Sequence, residues 1–466
     1  MDNILHRSLM NNNDTINYFC VTALEENVTI TSDGIISYKI NDNDWLTLNI
    51  DDTLSIPNLG DKVYIHKNDK NDEYSNYWEE GWPVSLGIKG QVDVSGNIMS
   101  LIYSENFEKN LTVIESAFSG YFSDSDIIHS HDLILPATTL ANYCYQDMFS
   151  DCISLTTAPQ LPATALTNGC YYEMFRGCSS LTTAPELPAT TLAERCYEYM
   201  FSGCTNLTTA PELPATTLAE RCYRSMFNSC DSLTTAPELP STTLAIECYR
   251  SMFNGCTSLT EAPELPATTL ESGCCQNMFS YCTSLTEAPE LPATTLARYC
   301  YNNMFNGCSS LTTAPELPAT TLASYCYNNM FSGCTSLTTA PELLATTLTY
   351  DCCESMFANC TNLTDSPALL SETIFSNCYV NMFSGCTNLR TITFGATALK
   401  EAGIFTNIPL DNWVANVSST GTFYKNSKLK MTENTDYYNS KIGSGATTNY
   451  DGIPYGWEII DRKSVV

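Results

Sequence analysis

The sequence predicts an α/β solenoid of ten 26-residue coils, set between an N-terminal all-β domain and a C-terminal cap. Three observations lead there. The unit LPATTLANYCYQDMFSDCISLTTAPQ, Leu135 to Gln160, returns without insertion or deletion from Leu161, Leu187, Leu213, Leu239, Leu265, Leu291, Leu317, Leu343 and Leu369. Its apolar residues keep their places in every copy, and the flanking segments lose the period. A period of this length marks a unit that cannot bury its apolar face alone and stacks on copies of itself.

Within a unit, with the first Leu as offset zero, apolar residues stand at offsets 5, 9, 10, 13 and 14; the first copy has Leu140, Cys144, Tyr145, Met148 and Phe149. Steps of four and five predict one face of an α-helix. Thr138 and Thr139 are its N-cap residues, and the glycine at offset 16, as in Gly177 and Gly203, is its left-handed stop. A short run such as Ser154 to Ala158, halted by Pro159, predicts a strand that joins a parallel ladder through the stack.

Residues 1–17 form a polar, Asn-rich arm. Over 18–103, short apolar runs predict a small β-sandwich or barrel: Tyr18 to Ala23, Ile35 to Ile40, Trp45 to Ile50, Lys62 to His66 and Asn97 to Tyr103. Residues 104–134 are expected to cap the first coil, 135–394 to form the solenoid, and 395–466 to close it. That last segment reads as a short helix at 411–417 followed by strands at 421–425 and 453–460.

The run MFSGCTSLTTAPEL, Met330 to Leu343, resembles the BspA-like leucine-rich repeats, and MFSGCTNLRTITF, Met382 to Phe394, resembles them more closely. The likeness covers the ten units and a half-unit, AFSG, at Ala117 to Gly120. It implies a leucine-rich-repeat-type solenoid and a surface-displayed binding or adhesion module of bacteria or their phages. The return segment here is longer than that family's usual repeat.

A net charge of −30 and a pI near 4.3 exclude the clustered cations that nucleic-acid binding needs. No apolar stretch approaches the ~20 residues of a membrane helix, so no membrane insertion is expected. The first twenty residues hold no apolar core of the length a secretory signal requires. The expected location is therefore a phage virion surface, with a bacterial cell surface or the extracellular space as the alternative.

Of 23 cysteines, twenty occupy offsets 9 and 17, beginning with Cys144 and Cys152; Cys275 and Cys353 stand where other copies have Tyr, and Cys20 lies outside the units. Buried thiols are the leading reading, since free Cys packs as a small apolar residue. Disulfides between stacked neighbours stay open. Metal is least supported: no histidine lies in a unit and no CxxC pair occurs there.

No GxSxG, phosphate loop, HExxH or Cys–His pair appears at informative spacing, so no enzyme, catalytic residue or cofactor is expected. Asp69 to Glu80 has the carboxylates of a calcium loop, but Tyr74 stands where the turn needs Gly.

Two surfaces are candidates for a ligand. Offsets 7, 8, 11 and 12 vary between copies and bear Tyr143, Tyr172, Arg195, Arg221 and Arg224. The plain alternative is a solvated face with helix-spaced ion pairs, Glu220–Arg224 and Glu247–Arg250. The strand side offers Thr182, Thr208 and Thr234, with a carboxylate column of Glu186, Glu212, Glu238, Glu264, Glu290, Glu316 and Glu342. That column suits cations, a basic partner or a glycan, or is a screened row that keeps the edge soluble. The expected partner is a cell-surface glycan or protein, with the N-terminal domain docking to a larger assembly or a second copy.

Overall fold

The computed structural model describes residues 17–50, 52–68, 82–104, 106–371, 373–375, 377–395, 400–401, 410, 412–428, 453–454 and 456–462. The chain divides into two compact units. One runs to Thr112 and takes back Asp126–Ala137; the other joins Val113–Ser125 to everything from Thr138 onward. The arm over 1–16 and the calcium-type loop lie outside the described residues.

The first unit contains β1 (Phe19–Ala23), β2 (Val28–Ser32), β3 (Ile36–Ile40), β4 (Leu46–Leu48), β5 (Thr53–Ile56), β6 (Lys62–Lys67), β7 (Leu86–Lys89), β8 (Val92–Asn97), β9 (Ile127–His129) and β10 (Leu133–Ile134). One sheet has the order β10-β8-β1-β6-β3-β4 with β9 also on β8; a second has the order β5-β2-β7. Pairing is antiparallel except where β9 and β10 meet β8. Alternation fixes the faces: Val28 and Ile30 are fully buried while Thr29 and Thr31 are not. The strand expected over Asn97 to Tyr103 is instead a 3-10 helix, Ile98–Leu101. Asn97 Oδ1 accepts from the Met99 amide at 3.0 Å, and a capping Asn turns the chain out of the ladder.

In the second unit the predicted helix is absent. Offsets 8, 12 and 16 have positive φ in every copy, for example Arg221 (55°), Ser225 (53°) and Ser229 (56°), and an α-helix admits no such residue. The segment is a run of tight turns, four residues apart. Every backbone donor from Cys222 to Cys230 has a partner, and the partners alternate. The amides of Cys222, Arg224, Met226, Asn228 and Cys230 reach three residues back, to Ala219, Arg221, Tyr223, Ser225 and Phe227. Those of Tyr223, Ser225, Phe227 and Ser229 reach into the next coil, to Cys248, Arg250, Met252 and Asn254. The turn run thus both closes the coil and fastens it to its neighbour. A four-residue turn period brings offsets 9–10, 13–14 and 17 inward as pairs, which over so short a run imitates a helix face.

The inward residues build one continuous interior. Cys, Tyr, Met and Phe of the first copy (Cys144, Tyr145, Met148, Phe149) are at most 1 % exposed. From Phe149 to Phe383 the phenylalanines stack with centroids 5.5–5.8 Å apart and planes within 8°. Burying each such ring contributes about 1.5–3 kcal/mol.

The strand side is slighter than expected. Offset 22 makes single parallel bridges, Thr183 to Thr209, Thr209 to Thr235 and onward, and offset 4 makes others, Thr191 to Thr217 among them. Offset-4 threonines such as Thr191 therefore sit in bridges, where N-caps were expected. Proline at offset 24 cannot donate to a ladder, so pairing stops at one residue. Among the described residues of the stack, true strands appear only at its far end: Thr393 stands there in place of the proline within a regular strand, while the preceding strand keeps Pro367 and its pairing register shifts across it. β11 (Asp365–Leu369), β12 (Thr373–Ile374), β13 (Thr391–Phe394), β14 (Lys400–Glu401), β15 (Thr422–Asn426) and β16 (Glu458–Arg462) follow. They form a parallel sheet β11-β13-β15-β16 and a pair β12-β14.

The turn run outlasts the 26-residue period at both ends. Ser116, Gly120 and Asp124 have positive φ, and the amides of Phe118, Gly120 and Phe122 donate to Cys144, Gln146 and Met148. Phe118 and Phe122 stack on Tyr145 and Phe149 at 5.8 and 5.3 Å. At the other end Asn412 and Asn416 are left-handed, where a short helix was expected. There Trp413 is fully buried beside Phe383.

Candidate functional site

Two surfaces of the coil stack differ in chemistry. On the strand side the column from Glu186 to Glu342 is exposed throughout, as are Thr182, Thr208 and Thr234. Thr208 is tied to the Thr182 carbonyl by both its amide and its hydroxyl, at 3.3 Å each. No ion pair among the described residues joins this column to an arginine of the turn face. The side varies little from coil to coil, with Glu261 and Glu287 replacing Thr at offset 22.

The turn face does not repeat. Its left-handed positions hold Gly or Asn in many coils but Tyr143, Tyr199, Tyr281, Tyr299 and Tyr325 in others, with Arg195 and Arg221 as well. A non-glycine residue there costs about 1–2 kcal/mol. Glycines in the adjacent coil make room: the Tyr143 ring lies over Gly169 (φ 59°) and the Tyr281 ring over Gly307 (φ 74°).

Arg195, Arg221 and Arg224 are drawn into one network across coils. Glu247 accepts from Arg221 Nε at 2.8 Å, Arg224 Nη1 at 3.2 Å and Arg250 Nη1 at 2.8 Å. Arg224 also faces Glu198 at 3.5 Å and lies over Tyr199, whose ring meets Tyr172 edge-on at 6.2 Å. The expected Glu247–Arg250 pair is present. Glu220 pairs with Arg221 at 3.3 Å, while Arg224 turns to Glu198 and Glu247 in neighbouring coils. The reason is the turn geometry, which replaces helical neighbours by inter-coil ones.

The two carboxylates in this network differ. Burial pushes Glu247 up, but the hydrogen bond from Arg221 and the charges of Arg250 and Arg224 outweigh it, and the carboxyl is held below its ordinary range. Burial dominates at Glu198, whose arginines stand off at 3.5–3.6 Å, and its carboxyl is raised.

Farther along, the face changes. Arg298 has no carboxylate partner among the described residues. Its guanidinium lies over Tyr299 at 4.8 Å and Tyr325 at 5.6 Å, and Nη2 donates to the Tyr299 hydroxyl at 3.2 Å. Tyr299 and Tyr325 themselves stack at 4.6 Å. Sequence reasoning missed this group; its signal was Tyr at offset 8 in two successive coils, with Arg at offset 7 in the first of them.

All 23 cysteines are free and buried. From Cys178 to Cys386, each offset-17 thiol donates to the carbonyl of the previous coil's Phe at 3.0–3.1 Å. Burial pushes Cys222, Cys256 and Cys308 up to about 12, which suppresses the nucleophilic thiolate. Among the described residues no group of three or more His, Cys, Asp or Glu is arranged to hold a metal, and no helix is long and apolar enough to cross a membrane.

No curated protein and no solved structure matches the chain. The family model for the BspA type leucine rich repeat region (6 copies) does match, over 100–216, 133–260, 170–312 and 249–381. These overlapping spans run from 100 to 381, more than half the chain, and take in the first nine coils and part of the tenth. The coil stack, with its Phe, Gly, Cys and Leu columns and almost no helix, belongs to a member of the BspA-type leucine-rich repeat family.

Proposed function

We propose that this protein is a non-catalytic recognition or adhesion protein that binds a cell-surface glycan or protein through the turn face of its coils. One observation carries the reading. The interior is held constant while left-handed positions on one face carry Tyr and Arg at a conformational cost that Gly or Asn would remove. Strain retained at such positions is expected where contact with a partner, not folding, selects the residue. Tyr and Arg are also the residues that dominate binding energy at protein surfaces. BspA-type repeats are often found in surface adhesins, and the family is generally non-catalytic. Display on a phage particle or a bacterial surface, with the N-terminal unit docking to a larger assembly or a second copy, belongs to the same proposal.

The test is cell binding by the full chain, read by flow cytometry. One variant replaces Tyr143, Tyr199, Tyr281, Tyr299 and Tyr325 by Asn; another replaces the seven column glutamates by Gln. Loss of binding in the first alone supports the turn face. Loss in the second alone moves recognition to the strand side, and no binding by the parent protein to any bacterial cell or surface extract leaves a structural spacer.

A further inference from the structure

We infer that the turn face around Arg298 is a subsite for a carboxylate-bearing saccharide, which deepens the recognition reading and rests on it. Arg176, Arg195, Arg221, Arg224 and Arg250 each meet a glutamate within 4 Å. Among the described residues of the turn face, Arg298 does not, in a chain of net charge −30. It is exposed, yet its plane is fixed by two stacked tyrosines, so little ordering is left to be lost when an anion binds. A planar guanidinium held this way presents a fork that matches a carboxylate.

The surroundings suit a sugar ring. At offset 7, Arg298 is followed in the next two coils by half-buried Ser324 and exposed Tyr350, with Tyr325 next to the serine. The small Ser324 puts no bulky side chain at this offset between Arg298 and Tyr350, and the proposed sugar ring would lie over it. Four residues on in these coils, the buried Asn302 and Asn328 join a side-chain ladder that ties the coils to one another: Gln276 donates to Asn302 at 3.1 Å, Asn302 to Asn328 at 3.1 Å, and Asn328 to Glu354 at 2.9 Å. Asp351 is the nearest counter-argument, but it is buried, with Oδ1 accepting from Asn377 Nδ2 at 2.9 Å and its side chain hydrogen-bonded to Tyr325, so it holds the ring and pairs with no arginine among the described residues. An acidic protein partner fits less well. A stable protein interface covers about 800 Å² per side, which would carry a second anionic surface across neighbouring acidic coils. A thin polysaccharide touches only the coils near Arg298.

Calorimetry of the full chain with oligogalacturonate, with sialyllactose and with methyl-esterified oligogalacturonate tests this. Arg298→Gln is expected to weaken binding of an acidic sugar at least about tenfold and Arg298→Lys by less. Lys89→Gln, an exposed cation of the first unit, is expected to leave binding unchanged. The ester is expected to bind no better than Arg298→Gln binds the acid. Uronate binding without sialate binding, or the reverse, identifies the source of the carboxylate. Equal binding of acid and ester, or wild-type affinity in Arg298→Gln, overturns the assignment. If the parent protein binds cells but neither acidic sugar, the subsite falls and the recognition reading stands; if it binds no cells either, both fall.

Discussion

The ring of Tyr143 lies across Gly169 in the next coil, so that a β-carbon on Gly169 would overlap it. Gly169 also has φ 59°. Its size is thus limited by the coil before it, and its backbone by the turn it sits in. Gly169→Ala is expected to cost about 1–3 kcal/mol from strain and overlap together. Gly120, with φ 63° and nothing within 4 Å of an added β-carbon, bears only the left-handed cost, about 1 kcal/mol. Urea denaturation of the two alanine variants checks the difference. Adding Tyr143→Ala to Gly169→Ala should recover the overlap part.

Tyr281 occupies the offset that is glycine in most coils, has φ 60° and is 57 % exposed. Tyr281→Gly is expected to leave the melting temperature unchanged or raise it, since the left-handed cost disappears. A clear fall in melting temperature would mean that the ring's contact with Gly307 outweighs that cost.

The two carboxylates of the arginine network predict opposite pH behaviour. Glu247 is depressed in the folded state, so its contribution is present above the unfolded pKa and is lost as pH falls through the folded value. Glu198 is raised, so its favourable contribution exists in acid and is lost as pH rises through the folded value. At pH 7 Glu247→Gln should therefore lower the melting temperature and Glu198→Gln should raise it. Both differences should vanish below the ordinary carboxylate range, in melting curves taken from neutral pH down into acid.

Cys230 donates to the Phe201 carbonyl at 3.1 Å while its amide donates to Phe227, so one residue fastens two coils. Cys230→Ala removes the donor and leaves a small void, at a cost of about 1–2 kcal/mol. Cys230→Ser keeps a donor and should cost less in the same denaturation assay. A serine variant weaker than the alanine one would show that the site values apolar volume over the bond.

Much of the coil stack was legible because its register never slips: Cys144, Tyr145, Met148 and Phe149 could be placed in the interior from position alone. The helix was not excluded by the apolar pattern, since turns four residues apart and a 3.6-residue helix coincide over ten residues. The distinguishing signal lay among the polar residues. Asn277, Asn303, Asn329 and Asn381 share offset 12, four before the glycine column, and Asn and Gly both tolerate left-handed φ. The candidate surface was legible as a list and not as a geometry. Arg224 could be assigned to a variable face, but its partners Glu198 and Glu247 lie one coil either way, where helical spacing does not look. Arg298 and Tyr325 are 27 residues apart and meet only once the coils stack.

The turn face is rigid only if the coils share one sealed interior. Counting thiols that react with a disulfide reagent at pH 8, in reduced native protein and then in guanidinium, tests that directly. Burial and raised thiol pKa values predict almost no rapid reaction in the native state and all 23 cysteines reacting on unfolding. Rapid reaction of both columns in the native protein would contradict a continuous interior.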